Sequence, residues 1–199
     1  MADTHLFPGT VEWSGENPGI SLKEDPAGPF TTLASFFRVV LSPHGRGHAL
    51  VLMLDPQSAG GQNICLTDNE PLARWLVADF VSHFGAWRNL PGLAGLRYAK
   101  LDSVRTSGDA ITTYSETVRG ADLTVALTWS GLGKPFCFAL TPGTSATGRH
   151  HMPSLFVGCA NATVTVNGKV RPGAPIPREI AGQSISTAML AFSETWIRA

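Results

Sequence analysis

Two glutamates stand in apolar alternation, and a carboxylate taken out of water is the group in this sequence best suited to chemistry. Glu116 lies in YSETV (114–118) and Glu194 in LAFSETW (190–196). Around Arg119-Gly120-Ala121-Asp122 the strand register places Val118 opposite Leu123, whether the loop counts as two residues or four. Glu116 then faces Val125, Tyr114 faces Leu127 and Thr112 faces Trp129. Cross-strand neighbours share one face of a sheet, so Glu116 and Tyr114 are expected inside with Leu123, Val125, Leu127 and Trp129. In the last strand Leu190, Phe192, Glu194 and Trp196 alternate onto one face, placing a carboxylate between aromatics.

A buried, unpaired carboxylate costs several kcal/mol or takes up a proton. Such a group suits general acid–base catalysis in an apolar cavity. The candidate catalytic residues are Glu116, Glu194, Tyr114 and His151; Trp129, Phe192, Trp196, Arg38 and His150 are the candidate substrate contacts. Two bland alternatives stand beside this reading. Arg38, Arg97 or Arg105 pairs with a glutamate in a structural network, or the apolar face is the outer one, covered by the helix. A one-residue bulge flips either strand.

The histidines rank lower. His44 and His48 have the H-x-x-x-H spacing, but Gly45-Arg46-Gly47 makes their segment a hairpin tip, where helical chelation is not available. His83 falls one position off the apolar stripe of a helix, and His5 belongs to the N-terminal arm. His150 and His151 precede an apolar strand. Consecutive residues of a strand point to opposite faces, so they make poor joint ligands, and one of them faces the cavity mouth as a proton-transfer partner. No organic cofactor is expected, and a metal held by Glu116, Glu194 and one of His150 or His151 is the minority reading, open only if their strands are neighbours. Arg149, Arg171 and Arg178 surround the loops at this end and could receive an anionic group. Cys159 in LFVGCANA and Cys137 in FCF read as buried, inert thiols.

The elements that must hold these residues are mostly strands. Residues 1–31, rich in Pro, Gly and acid, read as an arm with one or two short strands, and residues 32–199 as one β-barrel-like domain. SFFRVVL (35–41) and HALVLMLD (48–55) flank a glycine-containing loop as a hairpin. After Gly60-Gly61 comes a short strand, NICL. One segment is helical, at about 68–87: Asp68 is the expected N-cap, Pro71 sits in the first turn, and Leu72, Leu76, Phe80, Phe84 and Trp87 form the buried stripe. Everything past residue 95 alternates as strands, and Asn167-Gly168 is the strongest hairpin signal. Roughly ten strands around one helix predict a mainly β fold of α+β type, an antiparallel barrel or strongly curved sheet.

Composition narrows the function classes. Of the 199 residues only 15% are charged, and 15 basic side chains balance 15 acidic ones. Without a basic patch, nucleic-acid binding and electrostatic membrane attraction are not expected. MADTHLFPGTVEW lacks the build of a signal peptide, and ALVLML is too short to span a bilayer. Three widely spaced cysteines fit free thiols in a reducing cytoplasm.

Three functions suit this pattern. The first is a cofactor-independent acid–base enzyme of isomerase, cyclase, dehydratase or lyase type, acting on a small, largely apolar substrate. The second is a carrier or sensor of a hydrophobic ligand. Its architecture resembles lipocalin-like barrels, although their G-x-W signature is absent, Trp13 lying in VEWSG, and the mid-chain helix departs from that plan. The third is an interaction module burying an apolar outer face in a homodimer.

Overall fold

The computed structural model describes residues 7–199; the first part of the arm, including His5, lies outside the described residues. The period-two segments form one strongly curved fourteen-stranded sheet, with a separate two-stranded hairpin. Strands β1 (Thr10–Glu16) and β2 (Gly19–Leu22) run in line, interrupted at Asn17-Pro18, and β3 (Thr32–Leu41) pairs with both. Strand β4 (Gly47–Met53) completes the expected hairpin with β3, and β5 (Ile64–Thr67) follows. Alternation divides these strands between two cores. Phe36, Leu50, Leu52 and Ile64 face one, while Leu33, Phe37, Val51 and Cys65 face the other, under the helix.

That helix, α1, spans Glu70–Asp79 rather than 68–87, and its N-cap is Asn69, whose side-chain oxygen accepts the Leu72 N–H at 3.2 Å. Asp68 is spent elsewhere, accepting the His48 backbone N–H at 2.6 Å. The helix ends at Phe80. Ser82 donates its hydroxyl to the Ala78 carbonyl at 2.7 Å, a local bond that competes with the helical ladder, and Val81–His83 tightens to a 3-10 turn. Leu72, Leu76, Phe80 and Trp87 are buried all the same. No helix among the described residues is long and apolar enough to cross a membrane.

Past a one-turn helix, α2 (Pro91–Ala94), the chain re-enters the sheet. Strand β6 (Arg97–Lys100) runs parallel to β5, and β7 (Ser103–Gly108) pairs with β8 (Thr113–Gly120). Strand β9 (Leu123–Leu132) completes a hairpin whose register differs from the expected one. Gly120 pairs with Leu123 across a two-residue turn, so Val118 meets Val125, Glu116 meets Leu127 and Tyr114 meets Trp129. Ala121 and Asp122 both take positive φ, 50° and 62°, which the tight primed turn requires. The offset from expectation is two residues, one full pleat, so Glu116 and Tyr114 keep the inward face.

Strand β10 (Phe136–Leu140) pairs with the start of the long β11 (His150–Val166), which turns at Asn167-Gly168 into β12 (Lys169–Val170). On β10, Phe136 and Phe138 pack against Phe156, so the intervening Cys137 faces solvent instead of the core. The expected single last strand is broken in three. Strand β13 (Pro177–Ile180) forms the separate hairpin with β14 (Gln183–Ser186), and β15 (Ala188–Phe192) and β16 (Glu194–Arg198) return to the sheet beside β11. The path through the sheet runs β6-β5-β4-β3-β1-β16-β11-β9-β8-β7.

Candidate active site

The break between β15 and β16 decides where Glu194 points. Ser193 takes φ 52°. Leu155 pairs with Phe192, but His151 pairs with Ile197, so one extra residue lies between the two ladders. This bulge reverses the alternation. Leu190 and Phe192 face the β core with Tyr114, whereas Glu194 and Trp196 face the helix side. The expectation that all four share one face is therefore overturned, and the two glutamates do not meet.

Glu116 is fully enclosed and fully partnered. Its Oε1 accepts from Arg38 Nη2 at 2.7 Å and from the Tyr114 hydroxyl at 2.8 Å, and Thr106 donates to Oε2 at 2.9 Å. Arg38 also pairs with Glu16. Trp129 and Phe192 pack on the Tyr114 ring at 6.0 and 5.8 Å. Burial pushes the Tyr114 hydroxyl up to about 12, and the carboxylate beside it acts in the same direction. For Arg38, the bond to Glu116 and its charge outweigh burial and hold the guanidinium protonated. A carboxylate bridged to a permanent cation is a poor proton carrier. This cluster is a structural network.

Glu194 is the opposite case. It is 2% exposed and has no cationic partner among the described residues. Its Oε1 accepts the Trp196 indole N–H at 2.7 Å. Asn17 lends a second, weaker bond through its side chain, whose carbonyl accepts the Ser35 hydroxyl at 2.6 Å. Burial raises the Glu194 carboxyl to about 7 against the pull of these two donors. The carboxyl borders a cavity of about 430 Å³. Met189, Phe156 and Trp87 supply apolar wall, and His83 and Arg178 reach the same space. The tip of the β13–β14 hairpin, at Ile180 and Ala181, forms another side of it.

His150 and His151 diverge, and neither lines this cavity. His150 is completely buried between Phe80 and Trp196. Its Nδ1 lies 2.6 Å from the Thr147 hydroxyl and its Nε2 lies 2.7 Å from Glu12, which Arg198 also binds. Burial keeps the imidazole below its ordinary range despite Glu12. Burial alone would raise Glu12, but bonds from Arg198 and His150 overcome it and lower the carboxyl. A neutral ring with its proton on Nε2 satisfies both contacts, donating to Glu12 and accepting from Thr147. His151 is half-buried against Phe7.

The nine candidates thus separate. Glu116, Tyr114, Arg38, Trp129 and Phe192 gather in the β core; Glu194 and Trp196 line the cavity, with His150 behind Trp196 and His151 apart from both, against Phe7. Asn17, Ser35, His83 and the Met189 wall had been passed over. Asn17 sits in a turn-like NPG, and His83 lies past the true helix end, so neither carries a periodic signal. His48 bonds Asp68 at 2.7 Å and His44 packs on Trp75, so these two do not form a chelate. Among the described residues, no group of three or more His, Cys, Asp or Glu is placed to hold a metal ion. Burial raises the Cys65 and Cys159 thiols to about 12, leaving both unreactive.

The fold and site define a mostly β protein whose curved sheet carries, at a cavity, a buried carboxyl without a salt-bridge partner among the described residues. No protein-family model matches the chain, and no curated protein or solved structure is detectably similar to it.

Proposed function

We propose that the cavity beside Glu194 binds a small, largely apolar molecule and that Glu194 transfers a proton there, without an organic cofactor. The reading rests on one observation: an enclosed carboxyl without a salt-bridge partner among the described residues, bordering a cavity of suitable size. An acid that titrates near neutrality can both donate and accept a proton in one catalytic cycle. Such a group serves isomerisation, cyclisation, dehydration or elimination, all of which need one positioned proton carrier and a dry pocket. Asn17 and Ser35 would orient a polar atom of the substrate, while Trp87, Phe156 and Met189 would hold its apolar body.

A carrier reading is favoured by that same apolar wall, with Glu194 as a hydrogen-bond donor to the ligand. One variant separates the two. Ligands are first found by thermal shift across a library of small apolar carbonyl and hydroxyl compounds. Glu194→Gln should then keep binding and lose turnover; if both protein forms bind and neither converts any compound, the carrier reading stands. The carboxyl itself is checked by infrared difference spectroscopy between the parent protein and Glu194→Gln, where a protonated-acid band should fade as pH crosses neutrality.

The scaffold under this site is proposed to be an antiparallel barrel, carried from β5 to β8 by the corner at Leu101-Asp102. Supporting it, Leu101 donates its N–H to Thr67 O at 2.9 Å and Asp102 donates to Arg119 O at 2.8 Å. A reducing compartment such as the cytoplasm is proposed as its location, because all three cysteines are free.

A further inference from the structure

A second cavity, of about 920 Å³, shares no wall residue with the Glu194 cavity. It lies where the Ala59–Asn63 loop, the start of β6 and the β11–β12 hairpin come together. Leu54, Leu123 and Val166 form its apolar floor, each packed against the β core yet not sealed by it. Arg97, Lys169 and Arg171 supply its charges, and no Asp or Glu belongs to the wall. Asp55, whose side chain lies against Gly61, stays outside it.

The chain carries equal numbers of acidic and basic residues, and some cations elsewhere are matched, Arg74 with Glu70, Arg149 with Asp79 and Arg198 with Glu12, so the wall of this cavity is one-sided in charge within a neutral chain. None of the three cavity cations has a carboxylate partner among the described residues. Arg171 is also held in place. Its Nη2 donates to the Leu54 carbonyl at 3.2 Å, which leaves further N–H groups of the guanidinium unspent. The amides beside it are already occupied. Asn63 Oδ1 accepts the Leu54 and Asp55 N–H groups, and Asn167 Oδ1 accepts the Thr124 N–H at 2.8 Å. Apart from the Gln62 amide, the side-chain polar capacity left in this cavity is therefore cationic.

We infer that this cavity binds an amphipathic anion, a carboxylate or phosphate head on an apolar body, with the head between Arg97, Lys169 and Arg171 and the body over Leu54, Leu123 and Val166. A planar, fixed guanidinium recognises either oxyanion head through paired N–H bonds. The inference is independent of any chemistry at Glu194.

The test uses dodecyl phosphate and dodecanoate, each below its micelle-forming concentration, titrated by calorimetry and by amide NMR. Binding of at least one of them should perturb the amides of residues 59–63, 123 and 166–171. The double variant Arg97→Gln/Lys169→Gln, altering two exposed side chains that bear no structural bond, should bind about tenfold more weakly, as expected for two exposed charge contacts. Dodecyltrimethylammonium should leave these amides unmoved. The inference fails if neither anion binds, if the perturbed amides lie elsewhere, such as around Glu194, or if the double variant binds unchanged. Inorganic phosphate binding as tightly as dodecyl phosphate would overturn the amphipathic class, since the apolar floor would then contribute nothing.

Discussion

Glu116 and Glu194 lie on inward faces of adjoining parts of one curved sheet, yet they are built for opposite purposes. Glu116 meets Arg38, Tyr114 and Thr106 at the centre of a saturated network. Glu194 meets only neutral donors, Trp196 and Asn17, and burial raises its carboxyl to about 7. The difference shows that enclosure alone does not make a proton carrier. A nearby cation turns a buried carboxylate into a structural tie, and the lack of one leaves a group that must titrate near neutrality or remain protonated.

The sharpest way to break this comparison is to remove the extra residue that separates the two. Deleting Ser193 would turn Glu194 and Trp196 across the sheet, pulling a fully buried indole out of the helix-side core. The expected loss exceeds about 4 kcal/mol, in the range of the most damaging core changes. Circular dichroism should show no cooperative unfolding transition.

Arg38→Met should cost less, about 3 kcal/mol, because it strands a fully buried Glu116 without its cation. Urea denaturation measures this. The double variant Arg38→Met/Glu116→Gln should recover part of the loss, since the stranded charge is gone. If the double variant is no more stable than Arg38→Met, the pairing is not what holds this region.

At Glu194 the comparison predicts a pH signature of similar size. The folded carboxyl keeps its proton up to about 7, while the unfolded chain releases it near 4.5. Between those values the folded state binds more protons, so raising the pH lowers stability. The advantage is fully present below the unfolded value and is lost by the alkaline side of the folded one, amounting to roughly 3 kcal/mol. Urea midpoints of the parent protein relative to Glu194→Gln should fall across this window and be level on either side. A flat difference would mean that Glu194 is not held protonated.

The smallest expected effect concerns His150. Thr147→Val keeps the shape and removes the hydroxyl facing Nδ1, so a loss of about 1 kcal/mol is expected in thermal or urea unfolding. The Glu194 titration should not change, because Thr147 lies outside that cavity.

Much of the scaffold was legible from local chemistry. Asn167-Gly168 gave away its hairpin because positive φ at both positions, 49° and 78°, costs asparagine and glycine little. Four residues of the helix stripe are buried as expected and Phe84 is half-buried, but the helix itself ends at Asp79, since Ser82 and the turn of Phe80 into a nest of aromatic rings are matters of packing. Cys137 looked buried in FCF, but alternation on a strand covered on one face leaves every second residue outside. At the site, the inward glutamate-tyrosine pair was readable. The Arg38 partner appeared only among alternatives, because a cation 78 residues away leaves no trace in local pattern.

What the sequence determined by itself is the parity of each unbroken strand. The β8–β9 register was misplaced by two residues without consequence, since two is the period of the pleat and Glu116 keeps its face. Tertiary structure decided the rest through a single residue. Ser193 in the left-handed region inserts an odd step, and an odd step exchanges faces, so Glu194 left the core of Phe192 and Tyr114 for a cavity beneath the helix side. No alternation of side-chain types records such a step, because a bulge is held by the strands on either side of it.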